Sequence, residues 1–171
     1  ESDRQFALTG VEKHVYSYPK RAIRTADYLY VRNFSPENWR TGEVNGGTAE
    51  YDFSVEPWPT EPGAFSFAID PSPSKQFLRL NREADDAQRY AQLAFKPRPQ
   101  EELYVLVSDP DQLEDVASDA RHQSARDDMR RQLDAELIKS QDPRADVDGY
   151  ESRDIEGWPV RISKRLQEEK P

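Results

Sequence analysis

Ala125, Met129, Leu133 and Leu137 recur at every fourth position of a charged stretch running from about Ala120 to Lys139. That spacing puts them in one stripe down one face of a helix, with Asp127, Asp128, Arg130, Arg131, Asp134 and Glu136 on the others. A single apolar stripe has to be buried against something. The rest of the chain offers strands for the purpose. In "RAIRTADYLYVRNF", Tyr28, Tyr30 and Arg32 alternate with Leu29, Val31 and Asn33, so the segment reads as two antiparallel strands joined by a tight turn. "EELYVLVSD" alternates Leu103, Val105 and Val107 against Tyr104 and Leu106, and is expected to be the strongest strand, ended by Asp109 and Pro110. "SPSKQFLRL", capped by Ser74, and "ADDAQRYAQLAF" read as two short helices. The expected fold class is α+β, a small antiparallel sheet covered by a long C-terminal helix. A helix on one side would leave the other face of the sheet bare and in need of a partner surface.

Two segments resist this pattern. Residues 35–73 hold six prolines, four of the seven glycines and seven acids beside a single Arg40. With no periodicity, the stretch is expected to be a surface excursion packed through aromatics such as Trp39, Trp58 and Phe65. Residues 140–171, with eight acids, six bases and little apolar content, read as a polar tail that wraps or frays. The organisation expected is therefore a domain over 1–139 followed by the tail over 140–171.

Hydrophobic residues make up 35% of the chain and glycine adds only seven positions, against roughly 45–50% for a soluble domain counted the same way. A net charge of −9 argues against nucleic acid as a partner, because polyanion binding depends on cations that displace phosphate counterions. No apolar run is long enough to span a membrane. Without cysteine there is no disulfide, thiol nucleophile or zinc cluster to propose. The start "ESDRQFALTG", lacking Met and running at once into a strand-like segment, is expected to lie partway along a longer polypeptide.

Against this acidic background, "TGVEKHVYSYPKRAIRT" (residues 9–25) gathers Lys13, His14, Lys20, Arg21 and Arg24 with Glu12 as its only acid. Such a set suits sulfate, phosphate or a sulfated sugar, the cations holding oxyanions while the carboxylate takes sugar hydroxyls. An equally open reading is that Arg21 and Arg24 flank a strand and pair with the chain's acids. "DPDQLED" lacks the central Gly and twelfth-position acid of a calcium loop and reads as an acidic turn. His122 reads as a surface residue, and no phosphate loop, H-x-x-x-H or G-x-S-x-G occurs.

Taken in order, "TGVEKH", "YPKRAIRTADYLYVRNFSPENW", "SPSKQFL", "EELYVLVSDPDQLEDVASD" and "SQDPR" resemble the carboxyl-terminal part of sulfatases of the heparan N-sulfatase (N-sulfoglucosamine sulfohydrolase) type, over roughly residues 5–145. Val105, Gln112, Asp115 and Val116 depart from that family's usual residues. The resemblance implies the smaller subdomain of an alkaline-phosphatase-like sulfatase. It implies, too, a hydrolase of sulfate esters or N-sulfamates of glycosaminoglycan-like sugars, whose formylglycine nucleophile (from C/S-x-P-S-R) and calcium belong to a catalytic part absent from this sequence. "PSPSK" would be a structural segment and not a nucleophile. This chain alone would be inactive, with the catalytic domain and the sulfated sugar as its partners. Glu12, Lys13 and His14 would line the substrate pocket, with Arg21 and Arg24 as further candidates. Export to periplasm, lysosome or exterior is implied by the family alone. The alternatives are a stand-alone module that binds sulfated glycans and a non-catalytic interaction domain.

Overall fold

The computed structural model describes residues 4–14, 17–38, 69, 72–146, 150–156 and 158–163. The chain divides into two compact units: Glu1–Glu12 with Pro19–Asn33 and Glu101–Pro171, and Lys13–Tyr18 with Phe34–Gln100. Most of the excursion expected over 35–73 lies outside the described residues.

The larger unit is α+β. Its sheet has strand order β1 (Ala7–Lys13), β2 (Ser17–Arg24), β3 (Tyr28–Asn33), β4 (Glu101–Val105) and is antiparallel. The β2–β3 pair is the one read from the alternation, with Ile23 opposite Tyr30 and Arg21 opposite Arg32. In their turn the Thr25 hydroxyl accepts the Tyr28 N–H at 3.1 Å and the Asp27 N–H at 3.3 Å, so two loop donors are met by one side chain. Tyr30 is in turn opposite Leu103 on β4. Ile23, Tyr30 and Leu103 thus form a row across one face, all fully buried.

The long helix α3 (Gln123–Lys139) packs on β3. Met129, Leu133 and Leu137 of the expected stripe are buried. Asp119 accepts the Arg121 N–H at 2.9 Å and starts a 3-10 turn over Ala120–His122, so the α-helix proper begins three residues later than the periodicity suggested. Ion pairs rim the packed face. Arg130 grips Glu101 through Nε at 2.6 Å and Nη2 at 2.5 Å, the Tyr30 hydroxyl donates to the same carboxylate, and Arg32 forks onto Asp134 at 2.5 and 3.2 Å.

The opposite face is not bare, which corrects the expectation from sequence. Ala22, Glu102 and Tyr104 on it are buried. The Glu102 carboxylate is tolerated there because the Tyr104 hydroxyl (2.5 Å) and the Asn33 amide (2.8 Å) donate to it. The outer edge of β4 is also covered. Asp115 accepts the Leu103 N–H at 2.9 Å, and the Val116 N–H donates to the Leu103 carbonyl at 2.9 Å, so the row of groups that would recruit another strand is occupied at its centre. Val107, read as part of this strand, lies beyond its end and is 78% exposed.

Residues read as a wrapping or frayed tail contain an antiparallel hairpin, β5 (Tyr150–Ile155) and β6 (Trp158–Ser163), with Ile155 opposite Trp158. Glu156, in the two-residue link, has φ of 52°, the positive value such short hairpin turns require.

In the smaller unit, α1 (Pro73–Leu80) and α2 (Gln88–Phe95) pack together, and small Ala87 and Ala91 are buried. The cap of α1 is Ser72 and not Ser74. Its hydroxyl accepts the Lys75 N–H at 3.1 Å, because Pro73, with fixed φ and no N–H, takes the first helical position. Lys75 donates to the Ile69 carbonyl at 2.7 Å, a structural use of "PSPSK".

Glu101 ties acid stability to this arrangement. The Arg130 guanidinium holds its carboxyl below the ordinary 4.5, against the opposing effect of burial and with help from Tyr30. A depressed carboxyl stabilises the fold above its unfolded value and loses that contribution as pH falls through the folded value. The melting temperature should therefore be flat down to about pH 5 and fall below 4.5. In Glu101→Gln the acid-side fall should be shallower. An unchanged acid profile in that variant would show that the pair does not carry it.

Candidate functional site

The cation-rich segment of residues 9–25 resolves into very different environments. Arg21, in the middle of β2, is buried. It lies across Gly10 of the neighbouring strand β1, where a Cβ would come within 2.7 Å of its Cδ, so only glycine leaves room for the side chain. From there the guanidinium reaches two carboxylates. Nε donates to Asp142 Oδ2 at 2.8 Å and Nη2 to Asp142 Oδ1 at 3.1 Å, and Nη2 also donates to Glu12 Oε1. Nη1 is spent on the Lys20 carbonyl at 3.0 Å and the Val11 carbonyl at 3.4 Å.

Asp142 is delivered by the end of α3. Gln141, at φ 56°, takes the left-handed position usually given to glycine, while the Asp142 N–H returns to the Leu137 carbonyl (2.9 Å) and the Gln141 N–H to that of Ile138 (3.0 Å). This paired return closes the helix and turns the chain back toward β2. Asp142 then accepts the Arg144 N–H at 2.8 Å, fixing the "DPR" turn. Arg144, its side chain only 6% exposed, bridges Glu12 Oε2 (2.8 Å from Nη2) and Asp154 of β5 (2.7 and 3.0 Å).

Two guanidinium groups are thus interleaved with three carboxylates. Burial works against the charge of Arg21, but the hydrogen bonds to Asp142 and Glu12 outweigh it and hold its pKa above the ordinary guanidinium value. The same balance, with Asp154 and Glu12 as acceptors, raises that of Arg144. The cluster, net −1 by formal charge, holds its two cations in ion pairs. Beside it lies a shallow concavity of about 400 Å³ bordered by Leu8, Thr9, Gly10, Leu137 and Ser140 along with the Arg21–Glu12–Asp142 group.

Of the five residues expected to contact substrate, the fold brings Glu12 and Arg21 together, as an internal ion pair. Arg24 is exposed at the end of β2, with Nη1 3.5 Å from Gln112 Oε1. Lys13 and His14, at the end of β1 and just after it, are exposed. Gly10, Asp142, Arg144 and Asp154 were not singled out from sequence. The one signal available was "SQDPR", whose Asp-Pro-Arg turn places two of them.

The acids of "DPDQLED" serve the loop. Asp109 accepts the Leu113 and Glu114 N–H groups at 3.0 and 2.9 Å, and Asp115 those of Leu103 and Ala117. Asp119, held at about 2 by the Arg121 guanidinium and backbone N–H, does the same for the next turn. Among the described residues no cluster of His, Cys, Asp or Glu is arranged to hold a metal, and no helix is long and apolar enough to cross a membrane.

No family model matches the chain, and no curated protein matches it. Among solved structures it is similar to a crystal structure from Bacteroides thetaiotaomicron described as a "putative sulfatase", at 14% identity and a TM-score of 0.45. The likeness covers 86% of this chain and 20% of that one, so the chain spans about a fifth of that protein's length. A similarity that distant does not by itself carry a function.

Proposed function

We propose that this chain is the carboxyl-terminal, non-catalytic part of a sulfatase that acts on sulfated sugars, the heparan N-sulfatase type being the finer reading. One observation supports it above the others. Three of the five sequence blocks that resemble the family meet in a single ion cluster: Glu12 of "TGVEKH" and Arg21 of "YPKRAIRT", on neighbouring strands, and Asp142 and Arg144 of the distant "SQDPR". These four residues tie the first two strands to the turn after the long helix, which suits a scaffold piece.

The division of labour follows from the pairing. Glu12 and Arg21 hold β1 against β2 and act as positioning residues, since Arg21 is committed to carboxylates and hidden from solvent. Exposed Lys13 and His14, carried at the end of β1, are the groups able to donate to a sulfate oxygen. Arg24 is exposed as well. The nucleophile and the calcium site belong to the catalytic part, because this chain has no cysteine and Ser72 of "PSPSK" is spent as a helix cap. The catalytic domain and the sulfated sugar are the partners, and an exported location is part of the same reading. A stand-alone sulfated-glycan module is disfavoured by the pairing of Arg21, which removes one of the candidate cations from such a surface.

The test uses the complete protein, this chain joined to its catalytic part. Lys13→Ala with His14→Ala should raise KM for a sulfated disaccharide roughly tenfold, with kcat nearly unchanged and the melting temperature within a degree or two, because ground-state contacts are lost. Unchanged KM would remove these residues from the site. Absence of sulfatase activity in the unaltered complete protein would remove the reading.

A further inference from the structure

The hairpin β5–β6 presents a tryptophan to solvent. Side chains alternate across a strand, and the registers Ile155↔Trp158, Arg153↔Val160 and Glu151↔Ile162 define one face of it. That face mixes Ile155, Trp158, Val160 and Ile162 with Arg153 and Glu151, and on it Trp158 is 68% exposed, Ile155 49% and Val160 36%. Asp154 belongs to the other face and ties the hairpin to the rest of its unit through Arg144. The side that bears Asp154 is anchored and the indole is presented outward.

We propose that this face is a stacking platform for a sugar ring of a glycan chain. The pyranose C–H bonds would lie on Trp158, whose electron-rich face attracts their weak positive charge. Ile155 and Val160 extend the flat apolar floor. Arg153, hydrogen-bonded to Glu151 at 2.7 Å in the same row, supplies a guanidinium donor and a carboxylate acceptor for ring substituents beside that floor. Size favours a small rigid ligand over a protein. Among the described residues of this face, three partly exposed apolar side chains offer on the order of 300 Å², whereas a stable protein interface needs roughly 800 Å² from each partner. The choice of a sugar among small ligands rests on the sulfated-sugar reading above.

Calorimetric titration of the full 171-residue chain with a heparin-derived tetrasaccharide tests the platform. Binding is expected to be weak and to persist at raised salt. Trp158→Ala should reduce the affinity at least tenfold, while Trp158→Phe, which keeps a ring, should lose only a few-fold. Thermal unfolding of both variants is expected to match the wild type, since the indole is exposed. No binding by the wild type, or equal binding by Trp158→Ala, overturns the proposal. Concentration-dependent dimerisation abolished by Trp158→Ala also overturns it, assigning the face to a second copy. A complete protein with sulfatase activity but an indifferent Trp158 refutes only the platform. Trp158-dependent binding with no sulfatase activity in the complete protein refutes only the sulfatase reading.

Discussion

Arg21→Ala should destabilise the chain by about 3–5 kcal/mol, the range for removing one partner of a buried ion pair. The cost arises less from the lost attraction than from what remains. Asp142 and Glu12 would face each other across an emptied space with one guanidinium, that of Arg144, left nearby. Their repulsion acts on the two elements Arg21 joins, the turn after α3 and strand β1. At about 2–4 °C per kcal/mol for a chain of this size, the melting temperature should drop roughly 10 °C. Arg21→Lys should recover part of this, because an ammonium restores the charge but cannot span two carboxylates as a planar fork does. A variant within about 0.5 kcal/mol of the wild type by urea unfolding would place Arg21 among ordinary surface pairs and reopen its role as an oxyanion ligand.

The elements that could be read from sequence were those with local periodicity. Alternation located β2, β3 and β4, and the four-residue repeat of Met129, Leu133 and Leu137 located α3, because each pattern is fixed by the face the element buries. The hairpin could not be read this way. Its exposed face holds Trp158, Val160 and Ile155 beside Arg153 and Glu151, so charge and apolar residues share one side and no burial pattern forms. The Ser72 cap turned on the detail that Pro73 claims the first helical position. Composition showed that cations gather in residues 9–25, but not where their charge goes. Arg21 finds Asp142 across 121 positions of chain, and in a sequence with 33 acids no local signal marks which one it will meet. Gly10 was equally silent, since its reason lies in the side chain of the adjacent strand.

The proposed separation of the scaffold from the chemistry has the largest expected consequence. A sulfatase accelerates its reaction by at least about 10⁶-fold, which requires a nucleophile and charge stabilisation at the sulfur. In the reading proposed above, both come from the catalytic part. The concavity beside β1 is lined by a cluster of net negative formal charge, which disfavours a sulfate, whereas Lys13 and His14 are exposed away from that cluster's ion pairs. Under that proposal the catalytic difference between this chain and the complete protein is all or none, and not a matter of degree.

Hydrolysis of a chromogenic aryl sulfate, followed for the 171-residue chain alone and for the same chain joined to the polypeptide bearing C/S-x-P-S-R, tests this most directly. The account predicts no turnover above background for the first and full turnover for the second. Sulfate release by the purified chain alone, or none by the joined protein when its formylglycine is formed, would contradict it.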